Sequence, residues 1–154
     1  MKKKALLTSL ILLLTISMFA QRGRDQRWNR EQQAIKNVIQ TAYIDGLHNN
    51  GNVQEIMAGF HPGFNLLGIN ENKLTKYPIY SWIQDFKIRK ERNSRPMREE
   101  AKMVCKYESI DVTGNAAQAK IELYRDQRLI FTDYLQLYKF DEGWRIVSKI
   151  YYRH

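Results

Sequence analysis

Asp133 is one candidate in this chain for binding a ligand or moving a proton. It stands between Phe131 and Leu135 at one alternation parity of an apolar, strand-like run. With that parity turned inward, a carboxylate sits among apolar groups and its proton affinity rises, so it can hydrogen-bond a ligand or act together with a histidine. The other reading returns it to water through a strand bulge, or pairs it with Arg125 or Arg128. His61 is the best acid–base candidate among the histidines and carboxylates. An unperturbed imidazole titrates near about 6.5 and can give or take a proton at neutrality. It opens the run His61-Pro62-Gly63, a junction of helix and strand, where it either faces a pocket mouth or fixes the loop before Pro62. His48 ends a helical stretch, where a cation complements the helix dipole. His154 is terminal, and Glu122 shares parity with Tyr124 on the expected solvent side. The lone Cys105 can form no internal disulfide. Its neighbour Lys106 points the opposite way along a strand, so an unactivated, buried thiol is expected.

The three histidines lie 13 and 93 positions apart, and no HxH, HxxxH or CxxC spacing occurs. No metal site and no cofactor are therefore expected. No phosphate-cradling glycine loop and no nucleophile elbow are present.

The elements that must position these residues follow from periodicity. Ala34, Ile35, Val38, Ile39, Ala42, Tyr43 and Leu47 form one apolar stripe, which predicts a helix over Glu31–His48. Asn49-Asn50-Gly51-Asn52 ends it, and a short helix Val53–Ala58 follows. Strands are predicted at Phe64–Ile69 and Lys73–Tyr77. Pro78 suits a first helical turn, so Ile79–Glu91 is read as a third helix, with Ile79, Trp82, Ile83 and Phe86 on its buried side. After a loop at Asn93–Arg98 come four long strands: Glu100–Val112, Asn115–Arg125, Arg128–Phe140 and Trp144–Tyr152. Within the first of them, Met103, Cys105, Tyr107 and, under strict alternation, Ser109 share one face. Helices segregated from one antiparallel sheet make an α+β fold, one curved sheet covered on one face. The last strands also carry apolar residues on the other parity, Ile130, Tyr134, Tyr138 and Phe140. Homodimerisation through the sheet would cover them.

Met1–Ala20 reads as a signal peptide, with Lys2, Lys3 and Lys4 before an apolar run and Ala20 before the cleavage site. The run is short for a membrane span, so no stable membrane insertion is expected after cleavage. The chain is then exported, periplasmic or secreted. Residues 21–30 read as a flexible leader, and 31–154 as a single domain. The formal charge of +9 falls to +6 without the three lysines, from 22 basic and 16 acidic residues. Lys87, Arg89, Lys90, Arg92, Arg95, Arg98 and Lys102 cluster around the end of the third helix, partly offset by Glu91, Glu99 and Glu100, and the aromatics there belong to its buried face. Nucleic-acid binding, which needs basic and aromatic groups on one surface, is not expected. A solvated helix end is the reading adopted, with attraction of an anionic ligand as the alternative.

Tyr43-Ile44-Asp45-Gly46-Leu47, Phe60-His61-Pro62-Gly63-Phe64 and Asp141-Glu142-Gly143-Trp144-Arg145-Ile146 resemble the nuclear transport factor 2-like (NTF2-like) superfamily. Leu129–Leu135 with Val147-Ser148-Lys149-Ile150 narrow the resemblance to the small bacterial group known as "putative lumazine-binding" proteins. The resemblance covers Gln32 to the C-terminus. It implies an NTF2-like, cystatin-like roll: a cone-shaped, curved antiparallel sheet packed on about three N-terminal helices, with a pocket between sheet and helices and often a dimer. It also implies a role for Tyr43, because the isomerase branch keeps a tyrosine there whose hydroxyl stabilises an oxyanion. The other reading is a core tyrosine bonded to a backbone carbonyl. The general-base aspartate of that branch falls near Gly68, where Phe64–Ile69 holds no carboxylate.

Three functions are carried forward. The favoured one is an exported small-molecule-binding protein with an aromatic pocket contributed by Tyr43, His61, Phe64, Trp82, Phe86 and Asp133. The second is a SnoaL-like or ketosteroid-isomerase-like enzyme (isomerase, cyclase or dehydratase) with Tyr43, His61 and Asp133 as catalytic candidates. The third is a homodimerising interaction module.

Overall fold

The computed structural model describes residues 23, 25–92 and 95–154. The expected signal peptide lies outside the described residues, as do part of the leader and the first residues of the Asn93–Arg98 loop. Residues 25–38 are α-helical and Ile39–His48 continue as a π-helix; the two form α1. Helix thus begins before the expected Glu31, and residues 25–30 are exposed. In the wider π turn the Asn49 N–H reaches back five residues to the Ile44 carbonyl at 2.9 Å. The widened segment turns Ala42, Tyr43 and Ile44 together toward the interior.

Helix α2 spans Val53–Gly59. Its N-cap Asn52 accepts a hydrogen bond from the Glu55 N–H at 3.1 Å. It lies directly on α1 because two glycines allow it. A Cβ on Gly59 would stand 2.2 Å from the Ala42 Cβ, and one on Gly46 would stand 2.8 Å from Ile56 Cγ1. The remaining elements are β1 Phe60–Asn70, β2 Lys73–Pro78, α3 Ile79–Arg92, a 3-10 turn Glu99–Ala101, β3 Val104–Thr113, β4 Ala116–Arg125, β5 Arg128–Phe140 and β6 Gly143–Arg153. Two hairpins turn on residue pairs in the left-handed region, Glu71-Asn72 and Asp126-Gln127, as two-residue hairpin loops of the I′ type require.

The six strands form one unclosed sheet in the order β2-β1-β6-β5-β4-β3. The α+β reading holds, with one refinement: β1 pairs parallel to β6, so the sheet is mixed. Strand β1 also starts four residues before the expected Phe64. Pro62 is accommodated within an irregular stretch, because the β1–β6 register shifts between Phe60 and Asn65. Three further register shifts, near Glu108, Ile130 and Val147, interrupt the β3–β4, β4–β5 and β5–β6 ladders. Each bulge bends its strand and reverses which parity faces inward. Along β3 the inward set therefore changes from Met103, Cys105 and Tyr107 to Ile110 and Val112, leaving Ser109 exposed.

The helices cover the concave face. Ile35, Ile39, Tyr43 and Leu47 of α1 pack with Phe60, Phe64, Phe86, Ile121, Leu123, Leu135 and Ile146 in one core. Polar clamps seat α1 on β3. The Asn49 side chain donates to the Met103 carbonyl at 2.9 Å and accepts from its N–H at 2.7 Å, in the manner of a strand partner. The Tyr107 hydroxyl donates to the Lys36 carbonyl at 3.0 Å.

Candidate functional site

Tyr43, Asp133 and Lys149 meet inside the core, brought there by α1, β5 and β6. The Tyr43 hydroxyl donates to Asp133 Oδ2 at 2.6 Å. The Lys149 ammonium donates to the same oxygen at 2.8 Å and also to the Tyr43 hydroxyl. Asp133 is 0% exposed and Lys149 4%. They are the buried charged side chains among the described residues.

Strand register explains the meeting. Asp133 lies opposite Tyr151 and Lys149 opposite Leu135, so carboxylate and ammonium are diagonal neighbours on adjacent strands. Asp133 keeps the inward parity of Leu135 and Leu137. Lys149 reaches the interior only because the ladder shifts at Val147. Before the shift Trp144 and Ile146 face inward; after it Lys149 does, and Ile150 turns out. Sequence reasoning missed Lys149 for this reason: unbroken alternation from Trp144 places it in solvent.

Aromatic rings enclose the ammonium. Its Nζ lies 4.9 Å from the Tyr43 ring centre, 5.0 Å from Tyr151, 5.7 Å from Trp82 and 5.9 Å from Phe131. Such faces attract a desolvated cation. Burial lowers the Lys149 pKa, while the Asp133 charge and hydrogen bond pull it back up. Burial, reinforced by the Asp133 charge, holds the Tyr43 phenol well above its ordinary 10.0, so Tyr43 stays protonated and remains a donor. Asp133 Oδ1 is buried without a hydrogen-bond partner. The centre therefore holds a spare acceptor beside two polarised donors.

His48 adjoins this centre, its ring 4.7 Å from that of Tyr43. Burial first, then the positive charges of Lys149, Arg125 and Arg89, push its pKa down to about 3. It is therefore neutral near pH 7, and the expectation of a charged helix cap is corrected. Its Nε2 is shielded and has no partner. His48 lines a recess of about 350 Å³ together with Arg89, Met97, Ala101 and Arg125.

The other residues singled out from the sequence divide into two groups. Trp82 joins the centre, with its ring 5.9 Å from Tyr43 and 6.2 Å from Phe64. Phe64 is fully buried behind it, 4.8 Å from Phe60. Phe86 is fully buried in the core, with Arg89 and Lys90 over its ring. His61 is placed elsewhere: it stacks on Phe140 at 4.9 Å, and its Nδ1 accepts from the Gly63 N–H at 3.0 Å. Burial pushes the Cys105 thiol up to about 12, with the Asp133 charge adding to it, so no thiolate is available near neutrality. Among the described residues no group of three His, Cys, Asp or Glu side chains is arranged to hold a metal ion.

Comparison with known proteins places the chain. An NTF2-like protein of unknown function from Shewanella baltica OS155 is 28% identical over 82% of this chain and 96% of its own, with a TM-score of 0.65. One from Methylobacillus flagellatus KT is 24% identical over 81% and 93%, with a TM-score of 0.59. A cystatin-like domain of unknown function from Nostoc punctiforme PCC 73102 shares the fold at 14% identity over 81% and 78%, with a TM-score of 0.56. No curated protein matches. The family described as "Putative lumazine-binding" matches residues 30–152. With a match across nearly the whole folded region and NTF2-like neighbours of the same shape, the chain belongs to this family.

Proposed function

We propose that this protein is an exported small-molecule-binding protein whose ligand is held between the sheet and the helices, over Tyr43, Asp133 and Lys149. The observation that carries the reading is the buried Asp133 carboxylate with one oxygen unpartnered. A buried ion pair is a poor stability device compared with packed apolar residues, and an unsatisfied buried acceptor calls for a partner. A ligand N–H or O–H would supply that partner, and Trp82, Phe131 and Tyr151 offer faces for an aromatic or apolar body. The family description supports small-molecule binding. Native mass spectrometry of the purified protein tests it: a small-molecule mass lost on denaturation is expected, and a bare chain after purification from its native host contradicts it. Fractionation and N-terminal sequencing test export, which predicts a chain starting at Gln21.

An enzymatic reading rests on the Tyr43 hydroxyl lying beside the Lys149 ammonium, a pair suited to a developing oxyanion. Position 68 carries no base: the residue there is glycine, and a Cβ on it would meet Thr75 Oγ1 at 3.0 Å and the Tyr151 hydroxyl at 3.9 Å. Asp133 brings a carboxylate from another strand, already engaged by Lys149 and Tyr43. Binding is therefore preferred over proton abstraction.

Homodimerisation is supported by the convex face, where Tyr134, Tyr138, Ile150 and Tyr152 are exposed and Tyr134 pairs directly with Ile150. Sedimentation velocity should give a dimer that Tyr134→Lys dissociates; a wild-type monomer contradicts it.

A further inference from the structure

The recess beside His48 is lined by two arginines, Arg89 and Arg125. Arg89, in the last turn of α3, donates to the Leu47 carbonyl at 2.9 Å, which fixes its guanidinium there. Arg125, at the end of β4, stands across the same recess. Among the described residues neither arginine has a carboxylate within ion-pair distance, and Glu99, on the adjoining 3-10 turn, is taken by Lys102 at 2.6 Å. The third cation, Lys149, lies behind His48 on the Tyr43 side and is neutralised by Asp133 at 2.8 Å. Between the two charged zones sits a neutral imidazole whose Nε2 is shielded from solvent and unpartnered. Met97 and Ala101 supply the apolar part of the wall.

We propose that this recess takes the acidic group of a small organic anion, a carboxylate, phosphate or sulfonate on an apolar or aromatic body, with Arg89 and Arg125 as its charge partners and His48 Nε2 as a hydrogen-bonding contact. Guanidinium groups bind oxyanions through paired N–H donors. A recess of about 350 Å³ is at the lower end of small-molecule sites, roughly 300–1,000 Å³. The acidic group would lie between the two arginines, with the body against Met97 and Ala101. This rests on the small-molecule reading and adds the chemical class of the ligand.

Two fluorescent probes separate the inference from that reading. 1-Anilinonaphthalene-8-sulfonate and N-phenyl-1-naphthylamine share their rings, but only the first is an anion. The purified protein should bind the sulfonate saturably, at one per chain and more tightly than the neutral amine. Arg125→Gln and Arg89→Gln should each weaken the sulfonate about tenfold while leaving the amine unchanged. Lys73→Gln, an equal charge change on distant β2, should alter neither. Arg125 is exposed, so its variant keeps the test valid should loss of the Leu47 contact unsettle Arg89→Gln. Equal binding of both probes, insensitive to both arginines, overturns the anion assignment and leaves the small-molecule reading standing. Saturable binding of neither probe counts against both.

Discussion

The two ends of the cone treat their polar groups in opposite ways. At one end Glu31 accepts from Lys139 at 2.6 Å and from the Trp144 indole at 2.7 Å, and Arg145 donates to the Met57 and Ala58 carbonyls at 3.0 and 2.9 Å. His61 is stacked on Phe140 there, and its Nδ1 is occupied by the Gly63 N–H. These groups satisfy one another near the surface and tie the N-terminal half of α1 and the end of α2 to β5 and β6. At the other end the polar groups are deeper and fewer partners reach them. Asp133 Oδ1 and His48 Nε2 are buried without any, and two arginines face a recess with no carboxylate at ion-pair distance among the described residues. A saturated end is what a fold needs; an unsaturated one is what a ligand needs.

Removing Lys149 should sharpen that contrast most. Lys149→Met leaves Asp133 charged and buried with only Tyr43 to donate to it, so a loss of about 3–5 kcal/mol is expected, read as the denaturation midpoint in guanidinium. Adding Asp133→Asn removes the stranded charge and should recover most of it. A single variant as stable as the wild type would mean that the centre is wetter and looser than the geometry implies. Gly59→Ala is next. Its Cβ would stand 2.2 Å from the Ala42 Cβ, and separating α1 from α2 to make room should cost about 1–3 kcal/mol, visible as a lowered melting temperature.

The two ends should also differ in acid. At the open end His48 titrates at about 3 when folded, against 6.5 ordinarily. The unfolded chain therefore takes up a proton first, and stability is lost progressively as pH falls from about 6.5 toward 3. Allowing for partial exposure, about 1–2 kcal/mol should be gone by pH 4.5. His48→Asn should flatten that slope. At the closed end Glu31 is held below 4.5, chiefly by its hydrogen bond from Lys139 and then by that from Trp144. Its contribution is present above about pH 4.5 and lost as pH falls through the lowered folded value. Glu31→Gln should cost about 1 kcal/mol at neutral pH and progressively less as pH falls below about 4.5. An unchanged slope between pH 6.5 and 4.5 in His48→Asn would remove the argument for a neutral, buried imidazole.

The sequence was most readable where alternation runs unbroken. The stripe from Ala34 to Leu47 and the helix after Pro78 follow from period and turn residues, and the structure has them in those places; Asp133 stood open between two readings, and the structure turns it inward with Leu135. The resemblance pointed to Tyr43, and the structure gives it an acidic partner, Asp133, rather than a backbone carbonyl. What could not be read was set by register. Nothing in Trp144–Tyr152 announces that the ladder shifts at Val147, and that single shift decides whether Lys149 or Ile150 enters the core. The shift at Glu108 likewise turns Ser109 outward and Ile110 inward. The π-helical widening at Ile39–His48, which points Ala42, Tyr43 and Ile44 inward together, also leaves no mark in a period count. A bulge arises from pairing between strands distant in sequence, so a local pattern carries no trace of it. His61 shows the converse: its residue type suggested chemistry, while its local contacts fix a turn.

The central claim is that the Tyr43–Asp133–Lys149 centre serves a ligand rather than stability. Native mass spectrometry of Asp133→Asn/Lys149→Met beside the wild type, each also measured for its guanidinium midpoint, tests it most directly. The account predicts a double variant within about 1 kcal/mol of wild-type stability that no longer carries the small-molecule mass held by the wild type. A double variant that keeps that mass, or that loses several kcal/mol while the wild type carries none, would contradict it.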